Sequence, residues 1–259
     1  MPLARPELGD EEISAVVETL RSGQLCQGEV TERFERAFAD EIGAEHAVAV
    51  TSGSTALLVA MQAMGIGPGD EVIVPDITFA TTATAAVYLG AKPVFCDIHP
   101  DDFCLDIHRC ADLINERTKL VVPVHLGGAV VDVDSLRQLL ADRNIQILED
   151  AAGAHLASRD GRMAGTLGDA AIFSFTPTKP ITTGEGGVIT TNSVTLAKRC
   201  RLIRNFGDEG KFAWHSLGFN FRMTAMSAAI GIEQVKRLPA NVERRREIAA
   251  AYNETFFSM

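Results

Sequence analysis

Hydrophobic positions in this chain fall into short unbroken runs, separated by longer segments in which apolar and polar residues mix at helical spacing. Residues 47–51, 71–75, 93–97, 120–124, 145–148, 170–175 and 187–191 each read as a strand, rich in apolar and β-branched side chains. Between them, 55–64, 78–89, 107–116 and 133–141 carry helical patterns, the first two closed by Gly65 and Gly90. Strands that are apolar on both faces and alternate with helices predict an α/β fold of three layers, with a mostly parallel sheet flanked by helices. The later strands follow one another closely, so one antiparallel member is expected. Two helices are expected in the tail, one within 220–238 and one starting near 241. Residues 65–70 form a turn, and no internal repeat or low-complexity linker interrupts the pattern.

Sheets of this kind bind ligands beyond the carboxyl ends of their strands. Ser52, Pro75, His125, Asp150 and Phe175 fall at those ends. One apolar strand closes on two carboxylates, Glu149 and Asp150; another leads through Thr176-Pro177-Thr178 to Lys179 and on to Gly184-Glu185-Gly186-Gly187. A lysine in such a turn is held by its backbone beside small residues that leave room for a ligand. A lysine after one strand and an aspartate ending another is what pyridoxal phosphate chemistry requires. The amine forms a Schiff base with the aldehyde, and the carboxylate keeps the pyridine nitrogen protonated.

Other candidates stay open between two readings. Thr51-Ser52-Gly53-Ser54-Thr55 suits a phosphate at a helix start, and equally a plain N-cap; it is not the GxxxxGK[ST] nucleotide loop. Glu149 reads as a solvated or salt-bridged neighbour of Asp150. His125 and His155 fit either a ligand contact or a hydrogen-bonded core histidine, and Phe79 either a core ring or one that stacks on a cofactor. The run 198–204 reads as a basic helix face with one arginine turned inward.

Composition narrows the class. At 259 residues the chain suits one large domain, with at most a small appendage. A net charge of −10 provides no basic field for nucleic acid, so an anionic substrate needs a local basic site, with Arg201, Arg204 and Arg222 as candidates. No apolar run is long enough for a bilayer, and the first residues lack a signal-peptide core. Five scattered cysteines without a CxxC pair argue against a disulfide framework and against structural zinc. Together these predict a cytoplasmic protein that holds no metal.

The motifs resemble, in order and spacing, those of the DegT/DnrJ/StrS family of sugar aminotransferases, fold type I pyridoxal phosphate enzymes. The resemblance runs from Pro2 to about Tyr252. It rests on Leu3-Ala4-Arg5-Pro6, Ser22-Gly23, the run 67–75, Thr78-Phe79-Ala80-Thr81-Thr82 and Pro123-Val124-His125-Leu126. It continues through Glu149-Asp150-Ala151-Ala152, Phe173-Ser174-Phe175 with Lys179, Gly184-Glu185-Gly186-Gly187, and Gly218-Phe219-Asn220-Phe221-Arg222-Met223. It implies that Lys179 binds pyridoxal 5'-phosphate covalently, that Asp150 faces the pyridine nitrogen and that Phe79 stacks on the ring. Gly53, Ser54 and Ser174 match phosphate-binding positions. Asn220 matches an asparagine that reaches the phosphate of a neighbouring subunit, which implies a homodimer. The implied reaction moves an amino group from glutamate, or a similar donor, to a nucleotide-linked keto-sugar in polysaccharide or glycoconjugate precursor synthesis. Related sugar dehydratases carry histidine at the lysine position, so Lys179 favours transamination.

Three positions depart from the family pattern. Gly153 stands where glutamine is common, Pro180 follows Lys179 in place of asparagine, and the chain is C-terminally short. The expected organisation is an N-terminal segment over 1–30, a cofactor-binding large domain over 31–238, and the start of a small domain over 239–259. An incomplete small domain predicts a form that binds the cofactor but turns keto-sugars over slowly. The alternative is a catalytically poor cofactor-binding or partner-binding homologue.

Overall fold

The computed structural model describes residues 4–210 and 212–256. Pro2 and Leu3 of the opening motif and the last three residues lie outside the described residues. Strands β1 (His46–Val50), β2 (Glu71–Pro75), β3 (Lys92–Cys96), β4 (Thr118–Val121), β5 (Gln146–Asp150), β8 (Ala170–Ser174) and β9 (Gly187–Thr191) form one sheet, while β6 (Ser158–Arg159) and β7 (Arg162–Met163) form a separate small hairpin. The order is β1-β9-β8-β5-β4-β2-β3. Every pairing in this sheet is parallel except those of β9, which is antiparallel to both neighbours. This is the single antiparallel member expected from the close spacing of the last strands.

Eight helices accompany the sheet among the described residues: α1 (Asp10–Ser22), α2 (Glu29–Ile42), α3 (Gly53–Ala63), α4 (Thr81–Tyr88), α5 (Ile107–Leu113), α6 (Val133–Leu139), α7 (Val194–Arg204) and α8 (Ala225–Phe256). Side chains alternate across each strand, so the continuous apolar runs feed two cores. Ala47, Ala49, Ile147, Phe173 and Val188 pack with Phe34, Phe38, Leu136 and Leu238 on one face. Val48, Val50, Leu148, Ile172 and Ile189 pack with Leu57, Val59 and Ala197 on the other.

Two of these helices, α1 and α2, are absent from the sequence reading. Their apolar stripes are narrow and their charge is dense, yet Phe34, Phe38 and Ile42 of α2 are buried to 1% or less. The tail also differs from expectation. One helix runs from Ala225 through Pro239 to Phe256 instead of breaking into two. A proline inside a helix removes one hydrogen bond and costs about 3 kcal/mol. Anchoring on both sides opposes this: Leu238 and Val242 are buried, and Asn241 Nδ2 donates to the Pro180 carbonyl at 3.1 Å. Helix α8 is thereby tied to the loop that carries Lys179. Among the described residues, no helix is long and apolar enough to cross a membrane.

Candidate active site

A cavity of about 600 Å³ opens at the carboxyl ends of β1, β5 and β8. Volumes of this order hold a cofactor together with a small substrate. Ser52, Gly53, Ser54, Phe79, His125, Asp150, Ser174 and Lys179 all line it, although they come from five separate stretches of chain.

The β1–α3 junction supplies one wall. Ser52 caps α3, accepting from Thr55 N at 3.1 Å, while Thr55 Oγ1 accepts from Ser52 N at 2.9 Å. The N–H groups of Gly53 and Ser54 lie in the first turn, where the helix itself offers no acceptor. Two glycines make this junction possible. A Cβ on Gly53 would lie 2.8 Å from Ser174 Cβ, and one on Gly187 would lie 2.2 Å from the Ser52 carbonyl oxygen. The turn therefore sits directly on β8 and β9, with the Ser174 side chain beside the helix start.

Asp150 ends β5 with 5% of its surface exposed. Oδ2 accepts from Thr82 Oγ1 at 2.8 Å and Oδ1 from Ala152 N at 3.1 Å. Burial pushes its carboxyl above the usual range, against the opposing pull of the Thr82 and Ala152 hydrogen bonds and the Lys179 and His125 charges. Burial likewise holds the Lys179 amine below its ordinary value, with the Asp150 charge acting the other way. Each group thus leans toward its neutral form in a cavity that contains the other.

The Lys179 turn is tied down by its backbone. Lys179 N donates to Thr176 O at 3.0 Å, Phe175 N to Gly186 O at 2.9 Å, and Thr183 N to Phe175 O at 3.0 Å. Arg245 Nη2 of α8 donates to the Lys179 carbonyl at 3.2 Å. At Gly153, an added Cβ would meet only Lys179 Nζ, at 3.9 Å, so space beside the amine is open.

Several expectations need correction. Glu149 is not solvated: it is fully buried. Its carboxylate accepts from His125 Nε2 at 2.8 Å and from the Gly165, Leu167 and Gly168 N–H groups at 2.7–2.8 Å. The turn over 165–168 folds back on β5 and presents those donors, which β5 alone does not reveal. Removing this carboxylate strands four donors, so Glu149→Ala is expected to cost more than about 3 kcal/mol. Calorimetric unfolding should register a fall in Tm of roughly 6 °C or more.

His125 lines the cavity, but both ring nitrogens are engaged, Nε2 with Glu149 and Nδ1 accepting from Val131 N at 3.2 Å. His155 is a core histidine without hydrogen bonds: neither ring nitrogen has a partner among the described residues. It packs edge-on against Phe173 and Phe175, with ring centroids 5.2 and 5.5 Å away. Burial, reinforced by the Lys179 and Arg245 charges, lowers its pKa to about 3, so it is neutral at physiological pH. Phe79 is no core ring; it stands 74% exposed at the cavity wall.

The three arginines read as a local anion site do not approach this cavity. Arg204 turns inward to the Glu35 carboxylate and the Ala49 carbonyl, and Arg201 Nη2 donates to Ala47 O at 3.1 Å. Arg222 donates to Asn220 Oδ1 and Asn205 Oδ1, each at 3.1 Å. Asn220 itself lies outside the cavity of its own chain, next to the exposed Phe219. The lining also includes Glu185 and Arg245, which the sequence reading did not single out.

Comparison with known proteins places this geometry in context. A family model described as the DegT/DnrJ/EryC1/StrS aminotransferase family matches residues 6–259. GDP-perosamine synthase of Caulobacter vibrioides is 43% identical over 97% of this chain and 69% of its own length. The spore coat polysaccharide biosynthesis protein SpsC of Bacillus subtilis is 41% identical over 99% of this chain and 69% of its own. Among solved structures, a putative sugar aminotransferase of Streptococcus pneumoniae in its PLP form aligns with a TM-score of 0.92 at 31% identity, over 99% of this chain and 71% of that one.

Proposed function

Since this chain belongs to the DegT/DnrJ/EryC1/StrS aminotransferase family, we propose that it transfers an amino group from glutamate, or a similar amino acid, to a nucleotide-linked keto-sugar, with pyridoxal 5'-phosphate in the cavity at the strand ends. Relatives named for perosamine and spore coat polysaccharide synthesis support this substrate class. One observation carries the reading. Asp150 and Lys179 line the same cavity, each displaced by burial toward neutrality, and neither has an ion-pair partner within salt-bridge distance among the described residues. A buried carboxylate in that state is matched by a ligand that brings a cation, and a lysine in that state presents a nucleophilic free amine.

The residues present fit the cofactor. Gly53 and Ser54 N–H groups with the Ser174 hydroxyl suit its phosphate, and the dipole of α3 adds to their pull. The Phe79 ring suits stacking, and Asp150 suits a protonated ring nitrogen. Pyridoxal phosphate bound here would supply an electrophilic carbonyl and an electron-accepting ring. Lys179 acts as the nucleophile and, once released, as the base that moves a proton at the amine-bearing carbon of the substrate. Thr82 and Ala152 N–H orient the Asp150 carboxylate. His125 Nε2 and the 165–168 turn hold Glu149, and with it the end of β5.

In this proposal, Asn220 of one subunit reaches the phosphate site of its partner in a homodimer. Exposed Phe212, Trp214, Leu217 and Phe219 on the same loop supply apolar contact. Light scattering should therefore report a dimer; a monomer that still bound the cofactor tightly would count against the shared site. Amine transfer itself is tested by scanning amino donors against the cofactor-loaded protein. Glutamate should bleach the cofactor absorbance band rapidly, and a keto-sugar should restore it. A band unmoved by every donor would contradict transamination.

A further inference from the structure

Helix α8 carries the basic run Arg244-Arg245-Arg246, and its members have different surroundings. Arg244 pairs with Glu247 at 2.7 Å and Arg246 with Glu243 at 3.5 Å. Two turns earlier, Arg237 pairs with Glu11 at 2.7 Å. Arg245 has no carboxylate partner within salt-bridge distance among the described residues. Its guanidinium donates from Nη2 to the Lys179 carbonyl. A guanidinium has five donors, so a single backbone contact leaves most of its fork unused.

Its position gives that spare capacity a direction. Arg245 lines the cavity that contains Lys179 and Asp150, and it is the only arginine described there. It also lines a second cavity of about 490 Å³, which shares the Thr178–Pro180 stretch with the first. Arg5 lines that second cavity and likewise has no carboxylate within salt-bridge distance among the described residues. The field of Arg245 reaches the buried interior, where it and Lys179 both oppose a charge on His155. Within the Lys179 cavity the carboxylates are Asp150, already engaged by Thr82 and Ala152 N–H, and Glu185. The chain as a whole is acidic, with a net charge of −10. An unpaired guanidinium at the junction of two cavities is therefore a local exception to the surrounding field.

We propose that Arg245 is the specificity-determining residue that receives an oxyanion of the substrate, at the wall between the Lys179 cavity and the second cavity. This inference rests on the aminotransferase reading above. A planar, fork-shaped donor favours a carboxylate or phosphate held by two parallel hydrogen bonds. Two sources offer that chemistry: the carboxylates of the amino donor and the phosphates of an activated sugar. The Lys179 carbonyl fixes the guanidinium in place, so less side-chain freedom is lost when the anion arrives.

Calorimetric titration of the cofactor-loaded protein with 2-oxoglutarate, and separately with GDP and UDP, separates the sources. Arg245→Gln should weaken binding of one of these probes by roughly tenfold or more, the size of a lost charge-assisted pair. Weaker binding of 2-oxoglutarate alone assigns the donor carboxylate, and weaker binding of a nucleoside diphosphate alone assigns the sugar phosphate. Unchanged affinity for all three overturns the proposal. Arg245→Lys retains the charge and alters the contact with the Lys179 carbonyl. Affinity in R245K should stay closer to the wild type than in R245Q; equal losses in both would assign Arg245 to holding the loop and overturn its role as an anion receptor. The wild type provides the separate control. If its cofactor band ignores every amino donor, transamination fails and the assignment of Arg245 falls with it; if the band responds but R245Q binds all three probes normally, only the assignment of Arg245 is lost.

Discussion

Lys179→Ala is expected to abolish amine transfer while leaving the fold intact. The substitution removes the nucleophile and the base in one step, because the same amine serves both roles in the proposed reaction. Positioned acid–base catalysis alone contributes roughly 10²–10⁴-fold, so the loss should reach at least the upper part of that range. Stability should not fall in parallel. Burial lowers the Lys179 pKa in the folded state, so between that value and 10.5 the unfolded chain holds a proton that the folded chain has released. Stability contributed through this group therefore rises with pH across that window, so a charge on the half-buried amine opposes folding. Removing the amine removes that opposition. Single-turnover absorbance changes with glutamate, set beside thermal melts of the same samples, test both halves. A variant that retained transfer within tenfold of the wild type would remove Lys179 from the chemistry.

Asp150→Asn should separate stability from function in the opposite sense to an ordinary core mutation. Burial raises the Asp150 pKa above 3.8 in the folded chain, so between 3.8 and the folded value the native state holds a proton that the unfolded state has lost. Stability from this group is present below 3.8 and is lost as pH rises through the folded pKa, so a charge on this carboxylate is a cost to the cofactor-free protein. An amide of the same shape can still accept from Thr82 Oγ1, so D150N without cofactor should melt at the wild-type temperature or roughly 2–4 °C above it. With the cofactor bound the order reverses. The variant would offer a protonated ring nitrogen no counter-charge, and breaking a buried pair from one side costs about 3–5 kcal/mol, or roughly 10²–10⁴-fold in rate if expressed at the transition state. The rise in Tm on adding cofactor should shrink, and the proton-transfer step should slow by that factor. Normal half-reaction rates in D150N would end the assigned role.

The features legible in the sequence were those that depend on neighbours along the chain. All seven strands of the main sheet were evident because both faces are buried, which removes polar interruptions from segments such as Val48–Val50 and Ile147–Leu148. Lys179, Asp150, Gly53 and Ser54 share a cavity because each ends or follows a strand of the sheet, and the carboxyl ends of neighbouring strands lie together. Helix ends were less clear. Helix α4 begins at Thr81, not 78, because Thr78 and Phe79 form the approach to it, with the Thr78 and Thr82 hydroxyls 2.9 Å apart.

Features set by distant packing were not legible. Glu149 is buried by N–H donors 16 to 19 residues away, and His155 loses its hydrogen bonds to a cage of phenylalanines drawn from α2 and β8. Arg245 stands 66 residues from the lysine carbonyl it contacts, in a charge run that by itself indicates only a solvated helix face. The unbroken passage of α8 through Pro239 belongs to this group, because the contacts that hold it come from the Lys179 loop and from the core.

Lys179, alone among the lysines, is the proposed covalent attachment point for the cofactor. Borohydride reduction of the cofactor-loaded protein followed by peptide mapping tests it most directly. The expected result is the added mass of the reduced cofactor on the peptide that contains Lys179, with loss of that label in Lys179→Ala. Label on a different lysine, or none on a protein that binds the cofactor, would contradict the account.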